Sequence, residues 1–284
     1  MRRSRFLAAT GACAAAAVPW SVLAARPTAD ALEGRALVPV VRVRTGAHEL
    51  VMAIDTGDPQ STLSPQAAAL LALTGMPVAG APRMQRSTLS GVQIGTTTLR
   101  DHPVFITDDV ARMRPDAGYP IDGSLGFEAF KDRALTIDYA AGRVLFPTVI
   151  PEGETTPITW LKYHDRSPQL ITFDGLSIDG FPVTAQFDTF MSKNAIVFIT
   201  KLPDLAVDPD QRAPRYTYEE APLSPGRVGS LKLGNTLLAA HPLVYAADAK
   251  AHVPTTAIAA VLGDALFARR AVTIDFVNSN LIVS

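Results

Sequence analysis

The sequence predicts an all-β protein built from two related halves, and three observations carry that expectation. First, its 284 residues include 22 prolines and 19 glycines, so turns are frequent and long helices disfavoured. Second, those turns separate short β-rich apolar runs, such as 37–44 (LVPVVRVR) and 50–54. Third, the chain repeats itself in order. Ala134-Leu135-Thr136-Ile137-Asp138-Tyr139 returns as Ala271-Val272-Thr273-Ile274-Asp275-Phe276. Leu125-Gly126 with Phe130 returns as Leu262-Gly263 with Phe267, at the same offset of 137. His102-Pro103 returns as His241-Pro242 and Gly95 as Gly234, at 139. Ile54-Asp55-Thr56 returns as Phe187-Asp188-Thr189 and Gly46 as Gly180, at 133 to 134. A drift of a few residues is what loop insertions produce. The halves run over 35–150 and 155–284, joined near 147–157, which is rich in Pro, Thr and Glu.

Composition narrows the function. At 48% hydrophobic and 19% charged, the chain can bury a core and is not disordered. Its 26 Lys+Arg against 27 Asp+Glu argue against a nucleic-acid partner. The single cysteine, Cys13, rules out an internal disulfide.

Residues 1–31 read as an export signal. MRRSRFL supplies the cationic start, and an Ala-rich apolar stretch follows over 6–25, broken by Pro19. Val22-Leu23-Ala24 and Ala29-Asp30-Ala31 both offer small-residue cleavage sites. Arg2-Arg3 with Phe6-Leu7 resembles a twin-arginine signal, although Arg5 pushes Phe6 one place late. The expected location is periplasmic or secreted, an uncleaved anchor being the alternative. No later apolar run approaches the roughly 20 residues that span a bilayer.

Each half reads as mostly strand. Strand 37–44, a turn at Thr45-Gly46 and strand 50–54 open the first half. Strand 170–178, a turn at Asp179-Gly180 and strand 183–187 open the second. A short helix is predicted at Ser64, with that serine as N-cap and Pro65 at the first helical position. Residues 126–130 and 263–267 read as one- or two-turn helices before strands.

Asp55 and Asp188 each end an apolar strand and precede a threonine. If the halves pack about a pseudo-two-fold axis, these strand exits meet and bring the carboxylates together. Two such groups cannot both ionise cheaply, so they share one proton. The protonated one can donate to a substrate carbonyl while the ionised one takes a proton from water. The plainer reading is turn chemistry, each aspartate capping nearby amides.

At Ile54-Asp55-Thr56-Gly57 and Ser61-Thr62-Leu63-Ser64 the sequence resembles the retropepsin-like aspartic proteases. Asp122-Gly123-Ser124-Leu125-Gly126-Phe127, Phe130 and Leu135-Thr136-Ile137-Asp138-Tyr139 extend the resemblance over nearly all of the first half. The second half matches through Phe187-Asp188-Thr189 and Ala260-Val261-Leu262-Gly263-Asp264. The resemblance implies a bilobal pepsin/retropepsin-like fold of two β-barrel-like lobes in one chain, monomeric with internal pseudo-two-fold symmetry. It implies Asp55 and Asp188 as catalytic residues, with Thr56, Gly57 and Thr189 as their scaffold. The substrate would be a peptide or protein, with no cofactor and no metal.

Two residues depart from the family pattern. Phe190 stands where a glycine is expected, so its benzyl group threatens the water site or the position of Asp188. Asp58 follows Gly57 where a small residue is usual, and a further carboxylate there would raise the pKa of the pair. A catalytically inactive relative that binds peptide or another periplasmic ligand in the same cleft is the alternative reading, as is a dimer using Asp55 alone. Asp122, Asp138 and Asp275 read as structural. Residues 82–91 suggest a flap, and 208–229 a second flap or a long surface loop.

Other chemistries find no support. His48, His102, His164, His241 and His252 form no i,i+4 pair with a glutamate between them, which disfavours a zinc hydrolase. No Gly-x-Ser-x-Gly elbow, phosphate-binding glycine loop or dinucleotide fingerprint is present.

Overall fold

The computed structural model describes residues 18–19, 38–94, 97–117, 120–162, 169–218, 221–247 and 257–284. The expected export segment 1–31, with Cys13, lies outside the described residues except for 18–19. Strand dominates what is described, so the protein is all-β with short helices. No helix among the described residues is long and apolar enough to cross a membrane.

Alternation builds the first strands. In Val40–Thr45, Val41 and Val43 are buried while Arg42 and Arg44 face out, the period of two expected of a strand with one covered face. Gly46, at φ +59°, closes the turn into His48–Ile54. The predicted helix forms at Pro65–Leu70, where Ser64 Oγ accepts from the Ala67 N–H at 3.1 Å. An eight-residue helix at Val110–Ala117 was not foreseen from the sequence.

The first half forms one sheet, in the order Met76–Val78, Ala81–Leu89, His102–Thr107, Ser61–Leu63, Gly123–Leu125, His48–Ile54, Val40–Thr45, Val92–Ile94, Thr97–Leu99. At its centre Gly123–Leu125 lies parallel to Met52–Ile54 and antiparallel to Ser61–Leu63. The second half repeats this unit: Ala260–Leu262 lies parallel to Ala185–Phe187 and antiparallel to Ala195–Phe198. Both units hold their aspartate the same way. Asp55 N–H donates to Leu125 O at 2.9 Å, and Asp188 N–H to Leu262 O at 3.0 Å.

A second set of strands joins the halves. Ala134–Asp138 runs antiparallel to Ala271–Asp275, and Thr136 lies opposite Thr273, its own repeat mate. Their hydroxyls are 2.7 Å apart, and both residues are buried. Arg143–Leu145 flanks this pair on one side and Asn280–Val283 on the other. The expected linker is shorter than the sequence suggested, because Glu154–Pro157 already pairs with Asn280–Val283.

The two stretches read as flap candidates hold strands. Residues 82–89 are part of strand Ala81–Leu89, which pairs with His102–Thr107. The same strand forms a hairpin with Met76–Val78 that turns at Ala79-Gly80, with Gly80 at φ +76°. Residues 208–229 likewise hold the hairpin Tyr216–Tyr218 and Ala221–Arg227, with Tyr216 edge-on to Tyr245 at 5.1 Å. The repeat assignment of His102 to His241 is also out by one. Thr62 pairs with Phe105 and its repeat mate Ile196 with Tyr245, which aligns Asp101 with His241. Both of those residues have positive φ, +46° and +49°. His102 is buried against Ser61, whereas His241 is exposed.

The glycines after the central strands are required by close backbone contact. A Cβ on Gly263 would lie 2.1 Å from Met191 O, and one on Gly126 2.5 Å from Gln60 O. Gly263→Ala is expected to lower stability by about 2–3 kcal/mol, because backbone rather than a mobile side chain must yield. Denaturant unfolding checks this, and an unchanged midpoint would contradict the packing described.

Candidate active site

The two parallel-paired strands deliver Asp55 and Asp188 to one buried seam. Thr56 and Thr189 tie the exits together. The Thr56 N–H donates to Thr189 Oγ1 at 2.9 Å, and the Thr189 N–H donates to Thr56 Oγ1 at 3.3 Å. Thr189 Oγ1 also donates to Ile54 O at 2.9 Å. Neither threonine has any exposed surface. Each therefore spends its hydroxyl on the other half's backbone, which fixes both aspartates relative to one another.

Gly57 shows how close the halves come. A Cβ there would lie 2.5 Å from Asp188 Cγ, so only glycine lets this carboxyl rest against the first-half turn. Asp55 Oδ1 accepts from the Asp58 N–H at 3.0 Å, and Asp188 Oδ1 from the Phe190 N–H at 2.8 Å. The sequence-predicted site residues Asp55, Thr56, Gly57, Asp188 and Thr189 thus meet in one place.

Burial dominates the electrostatics. Asp55 is 7% exposed, and burial pushes its pKa well above the ordinary carboxyl value, with the charges of Asp188 and then Asp58 adding to the rise. The backbone N–H groups of Asp58 and Gly57 offset this in part. Asp188 is partly exposed. Burial raises it to about 6, opposed by the Phe190 N–H and helped by the charge of Asp58. Asp58 is itself raised by burial, while its Oδ1 accepts from the Gln60 N–H. Three carboxyls thus influence one another, and their protonation belongs to the group rather than to single residues.

The Phe190 ring does not stand free at the seam. It packs on the first-half cluster of Val38, Val40, Ala53, Val110 and Ile121. Its expected intrusion is therefore redirected into apolar contact.

Sequence reasoning gave no role to Asp264, which is fully buried. Tyr139 Oη donates to Asp264 Oδ1, while Asp264 Oδ2 has no partner. Burial raises Asp264 well above its ordinary value, and the charges of Asp188 and Asp55 add to this. The signal lay in the repeat. At offset 137, Phe127 corresponds to Asp264 and Tyr139 to Phe276. Phe127 and Phe276 meet ring to ring at 5.5 Å, so an apolar pair in one place is replaced by a polar pair in the other.

The remaining acids and histidines have other work. Asp122 Oδ2 accepts from the Val51 N–H, Asp138 Oδ1 from the Ala141 N–H, and Asp275 Oδ1 from the Val277 and Asn278 N–H groups. Each of the three thus accepts from backbone, a structural use. Burial drives His102 down to about 4, so it is neutral at physiological pH. Among the described residues, no group of three His, Cys, Asp or Glu side chains is placed to hold a metal ion. No protein-family model matches the chain, and no curated protein matches it.

Two outcomes follow from the seam. Thr189→Val removes the donor to Ile54 O and the 2.9 Å acceptor, whereas Thr56→Val removes only the longer bond. Thr189→Val is expected to cost roughly 1–2 kcal/mol more in denaturant unfolding, and equal losses would contradict the asymmetry. Asp188 binds its proton more tightly folded than unfolded. The stability it lends is present below about pH 4 and is lost as pH rises towards its folded value of about 6. That loss amounts to roughly 3 kcal/mol at most. Asp188→Asn is expected to flatten the decline across this window in unfolding curves measured from pH 3 to 7. A slope unchanged by the substitution would contradict it.

Proposed function

We propose that this chain is an aspartic-type endopeptidase in which Asp55 and Asp188 share one proton across the seam. The observation that carries the reading is the reciprocal threonine tie, which holds a buried carboxyl and a partly exposed one at equivalent strand exits. The ionised carboxylate takes a proton from a water lying between the pair. The hydroxide so formed bonds to the peptide carbonyl carbon, and the protonated partner donates to the carbonyl oxygen. A tetrahedral gem-diol results. The carboxyl that took water's proton then gives it to the amide nitrogen, while its ionised partner takes a gem-diol hydroxyl proton. The C–N bond breaks, a carboxylic acid and an amine leave, and the pair again holds one proton. A low-dielectric seam favours this, because it keeps a carboxylic acid protonated at pH values where it would ordinarily ionise.

The halves that present these residues are proposed to be the two lobes of a pepsin/retropepsin-like fold, acting within one monomer. The joining strands Ala134–Asp138 and Ala271–Asp275 support that arrangement, since Thr136 meets its repeat mate across them. The N-terminal segment supports action after export, in the periplasm or outside the cell.

Phe190 favours a second reading, a peptide-binding relative without hydrolysis, because it occupies a position where the matching turn needs glycine. Proteolysis assays from pH 3 to 7 on wild type, Asp55→Asn and Asp188→Asn separate the two. The endopeptidase reading expects activity in wild type and a loss of at least a thousandfold in both variants. Cleavage that survives Asp188→Asn contradicts the shared-proton mechanism, and a wild type inert throughout favours the binder. The pH profile offers a finer check. Asp58 raises both carboxyls, so Asp58→Asn is expected to move the profile towards acid while leaving the Gln60 contact an acceptor oxygen. Superimposable profiles would contradict this.

A further inference from the structure

The second half carries a cavity that the proposed chemistry does not use. Its volume is about 440 Å³, within the roughly 300–1,000 Å³ of small-molecule sites. Its walls come from residues within 199–209, which follow strand Ala195–Phe198, and from the paired strands Ala221–Arg227 and Leu243–Ala247. Neither Asp55 nor Asp188 lines it. Depth sorts the lining by chemistry. Leu205, Pro225 and Ala246 are buried and form the floor, whereas Thr200 and Ser224 are exposed at the mouth. None of the lining residues is charged.

The repeat shows what this space is shaped for. Thr62 pairs with Phe105 and its mate Ile196 with Tyr245, so Ile106 corresponds to Ala246. Gln85 lies opposite Ile106 and Ser224 opposite Ala246, so Gln85 corresponds to Ser224. The first half thus carries a branched aliphatic chain and an amide where the second carries a methyl and a hydroxyl. Ile106 is buried. Gln85 lies against the segment behind helix Pro65–Leu70, since a Cβ on Gly75 would be 2.3 Å from Gln85 Oε1. The matching segment of the second half, behind the single-turn helix Ile199–Lys201, supplies the cavity wall. Two smaller side chains therefore stand on the face that borders the cavity.

We infer that this cavity binds an uncharged small molecule with a branched aliphatic head and one hydrogen-bonding group, of the aliphatic amide class. The head takes the place of the isoleucine side chain over Leu205 and Ala246, and the amide meets the hydroxyls of Thr200 and Ser224 at the mouth. A charged ligand would give up hydration there without meeting a counter-charge. The site is independent of the endopeptidase reading, and the failure of either leaves the other standing.

The test is a ligand-observed NMR titration of the full chain with isocaproamide, isocaproate and acetamide. It compares wild type with Ala246→Ile and Ser224→Gln, which restore the first-half side chains. Thermal unfolding establishes that each variant is folded, and Ser224→Gln, at the exposed mouth, supplies the comparison if Ala246→Ile is not. Wild type is expected to bind isocaproamide saturably, and more tightly than isocaproate or acetamide by roughly tenfold or more. Each folded variant is expected to weaken that binding by roughly tenfold or more, because its own side chain occupies the site. Three results would each overturn the assignment: no saturable binding by wild type, isocaproate or acetamide bound as tightly as isocaproamide, or a folded variant that binds as wild type does.

Discussion

The arrangement depends on one constraint: two acidic side chains are held together in a place with little water. Such a pair repels, and burial makes each charge still more costly. The chain meets this cost with reciprocal hydrogen bonds rather than with counter-charges. Thr56 and Thr189 reach across the seam to each other's backbone, and Thr189 also holds Ile54 O. Backbone N–H groups from Asp58 and Phe190 donate to the two carboxyls. The outcome is a site in which a carboxyl retains its proton well above the ordinary range.

The two halves are related but not equivalent, and the differences concentrate around the seam. At offset 133, Gly57 corresponds to Phe190 and Asp58 to Met191. At 137, Phe127 corresponds to Asp264 and Tyr139 to Phe276. The first half thus brings an extra acid and an open turn, and the second a ring, while the buried Tyr139–Asp264 contact takes one member from each. Asp55 is the more enclosed carboxyl and Asp188 the more accessible. An arrangement of this kind distinguishes two groups that strict symmetry would make identical, which is what separate acid and base roles require.

Much of this was legible in the sequence, for reasons that can be named. Short-range rules placed the helix behind Ser64, because a serine followed by proline at the first helical position specifies a cap locally. The repeated Asp-Thr pairs located the seam, because the residues that build it recur in order. Long-range pairing was less visible. That Ala134–Asp138 joins Ala271–Asp275 depends on register between strands far apart in the chain, which alternation alone does not specify. The His102 and His241 dipeptides look alike, yet strand register sets them one place apart. The Tyr139–Asp264 contact needed the repeat to be read as pairs exchanged between halves rather than as single matches.

The central claim is that Asp55 and Asp188 titrate as one coupled pair. Carbon-13 NMR titration of the aspartate carboxyl carbons, with Asp55→Asn and Asp188→Asn used to assign the signals, addresses it directly. The account predicts one carboxyl that stays protonated well beyond the ordinary range and a second that titrates near 6, with each curve altered when the other residue is replaced. Two independent titrations near the ordinary aspartate value of about 4, unaffected by each other's substitution, would contradict it.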